Sequence, residues 1–151
     1  MFDANKFLST TFESAGATRT PPIPEGMYLG QILPLEEDCI SSGVSAKNGK
    51  AWARLELKVD VSNDPEVQEL DQKVFPIRGG FFLDLTDEGS FDTSKDANQR
   101  LNRLREAVGL NVAGFNPRQL GGRMVKVKVI QRVNADNPDV IFNDITGYFP
   151  V

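Results

Sequence analysis

Hydrophobic and polar positions alternate most clearly over residues 51–61. Ala51, Ala53, Leu55, Leu57 and Val59 fall on one side of an extended chain, and Trp52, Arg54, Glu56, Lys58 and Asp60 on the other. A period of two predicts a half-buried strand. An earlier strand is predicted over 26–33, where Tyr28, Gly30 and Ile32 alternate with Met27, Leu29 and Gln31 before Pro34 ends the run. A third, over 74–85, is interrupted by Gly79-Gly80, a pair that predicts a bulge or a sharp bend. With alternation kept through that bend, Arg78 and Phe82 share the face opposite Ile77, Phe81, Leu83 and Leu85. The period then lengthens: Leu101, Leu104 and Val108 predict a helix, capped by Ser94 or Asp96 and stopped at Gly109. Two more strands follow, over 123–130 and 140–149, joined by a turn at Asp136-Asn137-Pro138. In the first of these, Val125, Val127 and Val129 point inward, leaving Lys126 and Lys128 outward beside Arg132.

Three strands, a helix and two strands is the connectivity of the OB-fold, a small barrel whose outer face and loops commonly hold oligonucleotides. The expected fold is therefore mainly β, a five-stranded OB-fold barrel over 26–151 with one α-helix between strands three and four. Residues 1–25 form an N-terminal arm rich in Ser, Thr and Ala, ending in Pro21-Pro22-Ile23-Pro24. Those prolines favour an extended, helix-free approach to the domain. Phe2, Phe7 and Phe12 recur every five residues, which suits neither helix nor strand, and are candidates to pack on the barrel or on a neighbouring subunit. The polar stretch from Glu36 to Lys50 reads as a long loop between the first two strands, with Asn48-Gly49 as a tight turn.

A chain of 151 residues is one domain's worth. Its apolar runs fall short of the roughly 18 residues of a membrane span. The first ten residues lack the basic start and apolar stretch of a signal peptide, so the expected location is cytoplasmic. Cys39, the one cysteine, has no internal disulfide partner and is expected to be a small half-buried side chain. The absence of histidine removes the commonest general base, the Ser-His-Asp triad and every His-ligated metal site. No glycine spacing suits a phosphate loop. No catalytic residue, metal ligand or cofactor is expected. The net charge of −4 conceals an asymmetry: residues 1–94 hold 8 Lys/Arg against 16 Asp/Glu, while 95–132 hold 9 against 2. A polyanion responds to local field and not to the total, so nucleic acid stays open as a partner.

Single-stranded DNA exposes unstacked bases and one phosphate per nucleotide. A receptor for it interleaves aromatic faces, each worth roughly 1–3 kcal/mol, with cations that track the backbone. The candidates are Trp52, Arg54 and Lys58 on the second strand, Arg78 and Phe82 on the third, and Lys126, Lys128 and Arg132 on the fourth. Trp52, the only tryptophan, alternates with charge instead of with the apolar row; its rival role is packing under a loop or against the arm. Arg100, Arg103 and Arg105 read as a solvated helix surface, with phosphate contact as their rival role. Asp38, Glu56 and Lys58 echo the D…ExK pattern of metal-dependent nucleases, in which two carboxylates hold a divalent cation. Glu56 is equally explained as the cross-strand partner of a basic residue.

Five segments carry a family resemblance: Phe2-Asp3-Ala4-Asn5, Pro24-Glu25-Gly26-Met27-Tyr28, the helix end Ala107-Val108-Gly109, Leu120-Gly121-Gly122-Arg123-Met124-Val125-Lys126-Val127 and Asn143-Asp144-Ile145-Thr146-Gly147-Tyr148. Together they resemble a phage-encoded family of OB-fold single-stranded-DNA-binding proteins. The resemblance implies a non-enzymatic, sequence-tolerant protector of single strands during phage DNA replication or recombination, in the cytoplasm of the bacterial host. Its implied partners are single-stranded DNA and phage or host replication and recombination proteins, with the arm a candidate for self-association. Many replication-type binders end in an acidic tail that recruits partners. This chain ends Tyr148-Phe149-Pro150-Val151, so recruitment of that kind is not expected. The alternatives are a metal-dependent nuclease using Asp38, Glu56 and Lys58, and a structural β-barrel protein of the virion.

Overall fold

A computed structural model describes residues 1–16 and 19–151. The chain is mainly β, with six strands in one antiparallel sheet. In chain order the elements are α1 (Ala4–Leu8), β1 (Gly26–Ile32), β2 (Ile40–Val44), β3 (Ala51–Asp60), α2 (Pro65–Gln68), β4 (Ile77–Leu83), α3 (Gln99–Ala107), β5 (Met124–Val133) and β6 (Ile141–Phe149). Among the described residues, no helix is long and apolar enough to cross a membrane.

Strand β1 lies between β3 and β5, and β6 flanks β5. One edge of β3 carries β2 and the end of β1, and the other carries β4. Ile77 to Gly79 lie beside residues 141–144, and Phe81 beside 146–149, so β4 and β6 run in the same direction. They meet through side chains and are not paired. The sheet is therefore open along this seam and does not close into the expected five-stranded barrel. Inside it, Leu57, Val59, Val125, Val127 and Val129 are fully buried, with Phe81, Ile145 and the Leu101 and Leu104 stripe of α3 around them. Each such side chain contributes roughly 1.5–3 kcal/mol on burial.

Three local expectations are corrected. Strand β2 makes the sheet six-stranded instead of five, in the stretch read as a loop. Asn48-Gly49 closes a β2–β3 hairpin: Gly49 takes φ +69°, and its N–H donates to the Ser45 carbonyl at 2.8 Å. The Gly79-Gly80 pair makes no bulge, because the β3–β4 register runs unbroken from Ala53↔Leu83 to Val59↔Ile77. The glycines are there for close approach. A Cβ on Gly79 would lie 2.7 Å from Ile145 Cβ and 2.8 Å from Tyr148 Oη, and one on Gly80 would lie 2.8 Å from the Arg54 guanidinium. The irregularity falls instead in the β5–β6 ladder, between Lys128 and Val129. Helix α3 begins after Asn98 and not at Ser94 or Asp96. Asn98, at φ 58°, is held by reciprocal hydrogen bonds: its N–H donates to the Asp84 carboxylate, and its side-chain oxygen accepts from the Asp84 N–H.

In the arm, α1 is a helix the sequence pattern does not predict, and none of its residues is buried. Phe2 and Phe7 pack on each other with ring centroids 5.8 Å apart, and neither reaches the sheet; Phe12 is exposed. The arm's expectation for residues 17 and 18 lies outside the described residues. Ile23 anchors its C-terminal end, buried and donating its N–H to Asn143 Oδ1 at 2.8 Å. Cys39 is half-buried against the core.

Candidate nucleic-acid interface

The alternation of β3 and β4 places their polar rows on one outer face. Arg54 stands opposite Phe82, Glu56 opposite Gly80 and Lys58 opposite Arg78. Phe82 is 64% exposed, and Trp52 meets it edge-on, with ring centroids 6.2 Å apart and planes at 81°. The indole also rests on Gly43 of β2, where a Cβ would lie 3.0 Å from it. Trp52 is thus half-buried beneath the segment read as a loop, and Phe82 is the freer ring. Lys58 and Arg78 are like charges directly opposite, an arrangement that is unfavourable until an anion joins it.

Glu56 partly supplies that anion, with Arg54 at 3.0 Å and Arg78 at 3.7 Å. Such half-exposed pairs contribute about 0–1 kcal/mol and mainly hold the guanidinium groups in place. Arg54 can lie flat because Gly80 beneath it has no side chain. Glu56 is consequently a poor ligand for a divalent cation, since two guanidinium groups already claim it. Among the described residues, no three acidic, His or Cys side chains gather into a metal-ligand group.

Beside this face, a cleft of about 670 Å³ opens along the seam between the starts of β4 and β6. Arg54 and Arg78 line one wall and Arg132 the other; Arg132 is paired with Asp144. Phe75 and Phe142 also line it, together with Arg19 and Lys73. Five cations thus face two carboxylates, Glu56 and Asp144, and four of those cations come from the acidic part of the chain. Phe142 is 42% exposed and stands directly opposite Arg132 in the β5–β6 ladder. Alternation within the last strand is the signal that could have found it. Nothing in the sequence pattern singles out Lys73 and Phe75.

The predicted residues therefore separate into two groups. Trp52, Arg54, Lys58, Arg78 and Phe82 share the β3–β4 face, which Arg132 joins across the cleft. Lys126 and Lys128 do not line the cleft. They point outward from β5 opposite Phe149 and Gly147, near the C-terminal end of β6. The basic stretch is likewise divided. Arg105 covers the Phe115 ring at 4.4 Å and donates to the Leu110 and Val112 carbonyls, which makes it a structural pin. Tyr148 Oη is buried in the seam without a hydrogen-bond partner among the described residues. Burial, then the nearby Asp144 charge, pushes this phenol far above the ordinary tyrosine range. Compared with known proteins, the chain matches no family model and no curated sequence.

Proposed function

We propose that this chain is a non-enzymatic, sequence-tolerant single-stranded-DNA-binding protein built on an OB-fold, acting in phage DNA replication or recombination. One observation carries the reading. An aromatic pair, the half-buried Trp52 and the exposed Phe82, shares a single sheet face with Arg54, Lys58 and Arg78, and that face runs into a cation-rich cleft. Bases stack on Phe82 and Phe142, while Arg78, Lys58 and Arg132 meet phosphates; main-chain shape and charge set the fit, so no base is selected. The strand neighbours support the fold. Taking β2 as an addition within the first long connection, β1, β3, β4, β5 and β6 follow the order of a partly open five-stranded OB barrel.

The test is a titration of fluorescein-labelled oligo-dT at low and moderate salt, following anisotropy and Trp52 emission together. Three neutralised phosphates give a slope of log affinity on log salt of about −2, at roughly −0.7 per phosphate. Salt-sensitive binding with a change in Trp52 emission is the expected outcome. Failure to bind at low salt overturns the proposal.

A further inference from the structure

A second concavity lies farther along the same seam, where α3 packs against the end of β6. It is lined by Arg100 and Arg103 of α3, by Phe81, and by Thr146, Gly147 and Phe149 of β6, with a volume of about 260 Å³. The β5–β6 register brings Lys126 opposite Phe149 and Lys128 opposite Gly147, on the same outward face. Arg100 is steadied over the Phe81 ring at 5.5 Å. Phe149 is 42% exposed, its ring lying over Gly147, where a Cβ would come within 2.9 Å. No carboxylate lines this concavity. None of Arg100, Arg103, Lys126 or Lys128 has an acidic partner within ion-pair distance among the described residues. Two uncommitted cations lining the concavity, and two more on β5 opposite Phe149 and Gly147, suit a phosphate with a stacked base beside it.

We infer that this patch is a second phosphate-and-base subsite, reached by the same DNA strand that occupies the cleft. The inference rests on the single-strand-binding reading. Strand β6 connects the two sites: Phe142 stands in the cleft and Phe149 in the patch. Seven residue steps at about 3.4 Å separate them by roughly 24 Å. That distance covers about seven nucleotides at the stacked spacing of about 3.4 Å per nucleotide, and fewer when the strand is stretched. It lies within the range of about 4–16 nucleotides held by single OB domains.

The experiment compares oligo-dT of about four and about fifteen nucleotides on the wild-type protein and on the double variant R103E/K128E. Both positions are exposed, so the fold is preserved, and unchanged Trp52 emission in the free protein checks this. The expected result is a loss of tenfold or more for the long oligomer, with a salt slope shallower by about 1.4, two phosphates' worth. The short oligomer, confined to the cleft, keeps its affinity within about twofold. Equal losses at both lengths, or none at the long one, overturn the second subsite while leaving the cleft reading intact. A wild-type protein that binds neither length overturns the single-strand-binding reading itself, and the subsite with it.

Discussion

The cleft and the α3–β6 patch lie along one seam, and both are basic, yet their cations are held differently. In the cleft, Arg54 and Arg78 share Glu56, and Arg132 holds Asp144. In the patch, Arg100, Arg103, Lys126 and Lys128 hold no carboxylate among the described residues. A paired guanidinium is oriented in advance, but a phosphate reaching it must compete with a carboxylate already there. An uncommitted cation offers its full charge with less geometry. The cleft is therefore the place where rings and guanidinium groups are arranged, and the patch the place where charge is most available. Counting charge along the chain misses this, because it cannot separate cations that are free from cations already engaged.

Removing the exposed ring of the β3–β4 face, beside the cleft, is the largest test of this contrast. Phe82→Ala should weaken oligo-dT binding by about 1–3 kcal/mol, roughly 5- to 150-fold in an anisotropy titration. It should do so equally for short and long oligomers, and with little change in melting temperature because Phe82 is mostly exposed. Glu56→Gln sharpens the contrast by releasing Arg54 and Arg78 from their carboxylate. Binding should tighten by about 1 kcal/mol, roughly fivefold, and become more salt-sensitive. A nuclease using Glu56 requires the opposite, loss of Mg2+-dependent cleavage in the same variant. The smallest effect concerns the seam between the two sites. Tyr148→Phe removes a buried hydroxyl that lacks a partner and should raise stability by about 1 kcal/mol, a few degrees in thermal melting. It also changes the response to alkali. Because folding raises the Tyr148 pKa, folding stability holds level below the unfolded value of about 10 and falls as pH rises above it, where the unfolded chain ionises first. Melting curves above about pH 10 should fall less steeply in the variant. Tyr28, also raised chiefly by burial, keeps part of the fall.

The rows of β3, β4 and β5 were legible because each strand is wet on one face and dry on the other, which writes a period of two into the sequence. Trp52, Arg54, Lys58, Arg78 and Phe82 share a face for that reason. Strand β2 was not legible: residues 40–44 are open to solvent on both faces, and main-chain bonding to β3 holds them. The Gly79-Gly80 pair was visible, but its purpose depends on Ile145, Tyr148 and Arg54, which the fold brings near it. Phe75 joins Phe142 in the cleft for the same reason, since residues so far apart in the chain become neighbours only when β4 and β6 draw together. The pairing of Glu56 with a basic residue across the strands was legible from alternation; that Arg54 and Arg78 both engage it is seen only in three dimensions.

Because no main-chain hydrogen bond joins β4 to β6, drawing them apart breaks none. The β1–β5 ladder has no such freedom, and its amide protons are the ones that should outlast those of the seam in hydrogen exchange. The wall of the molecule is in effect a slit with closed lips. A sleeve must be threaded from an end, whereas a slit takes hold of a cord from the side, anywhere along its length. If the chain binds single-stranded DNA as proposed, a covalently closed circle is as accessible to it as a strand with a free terminus.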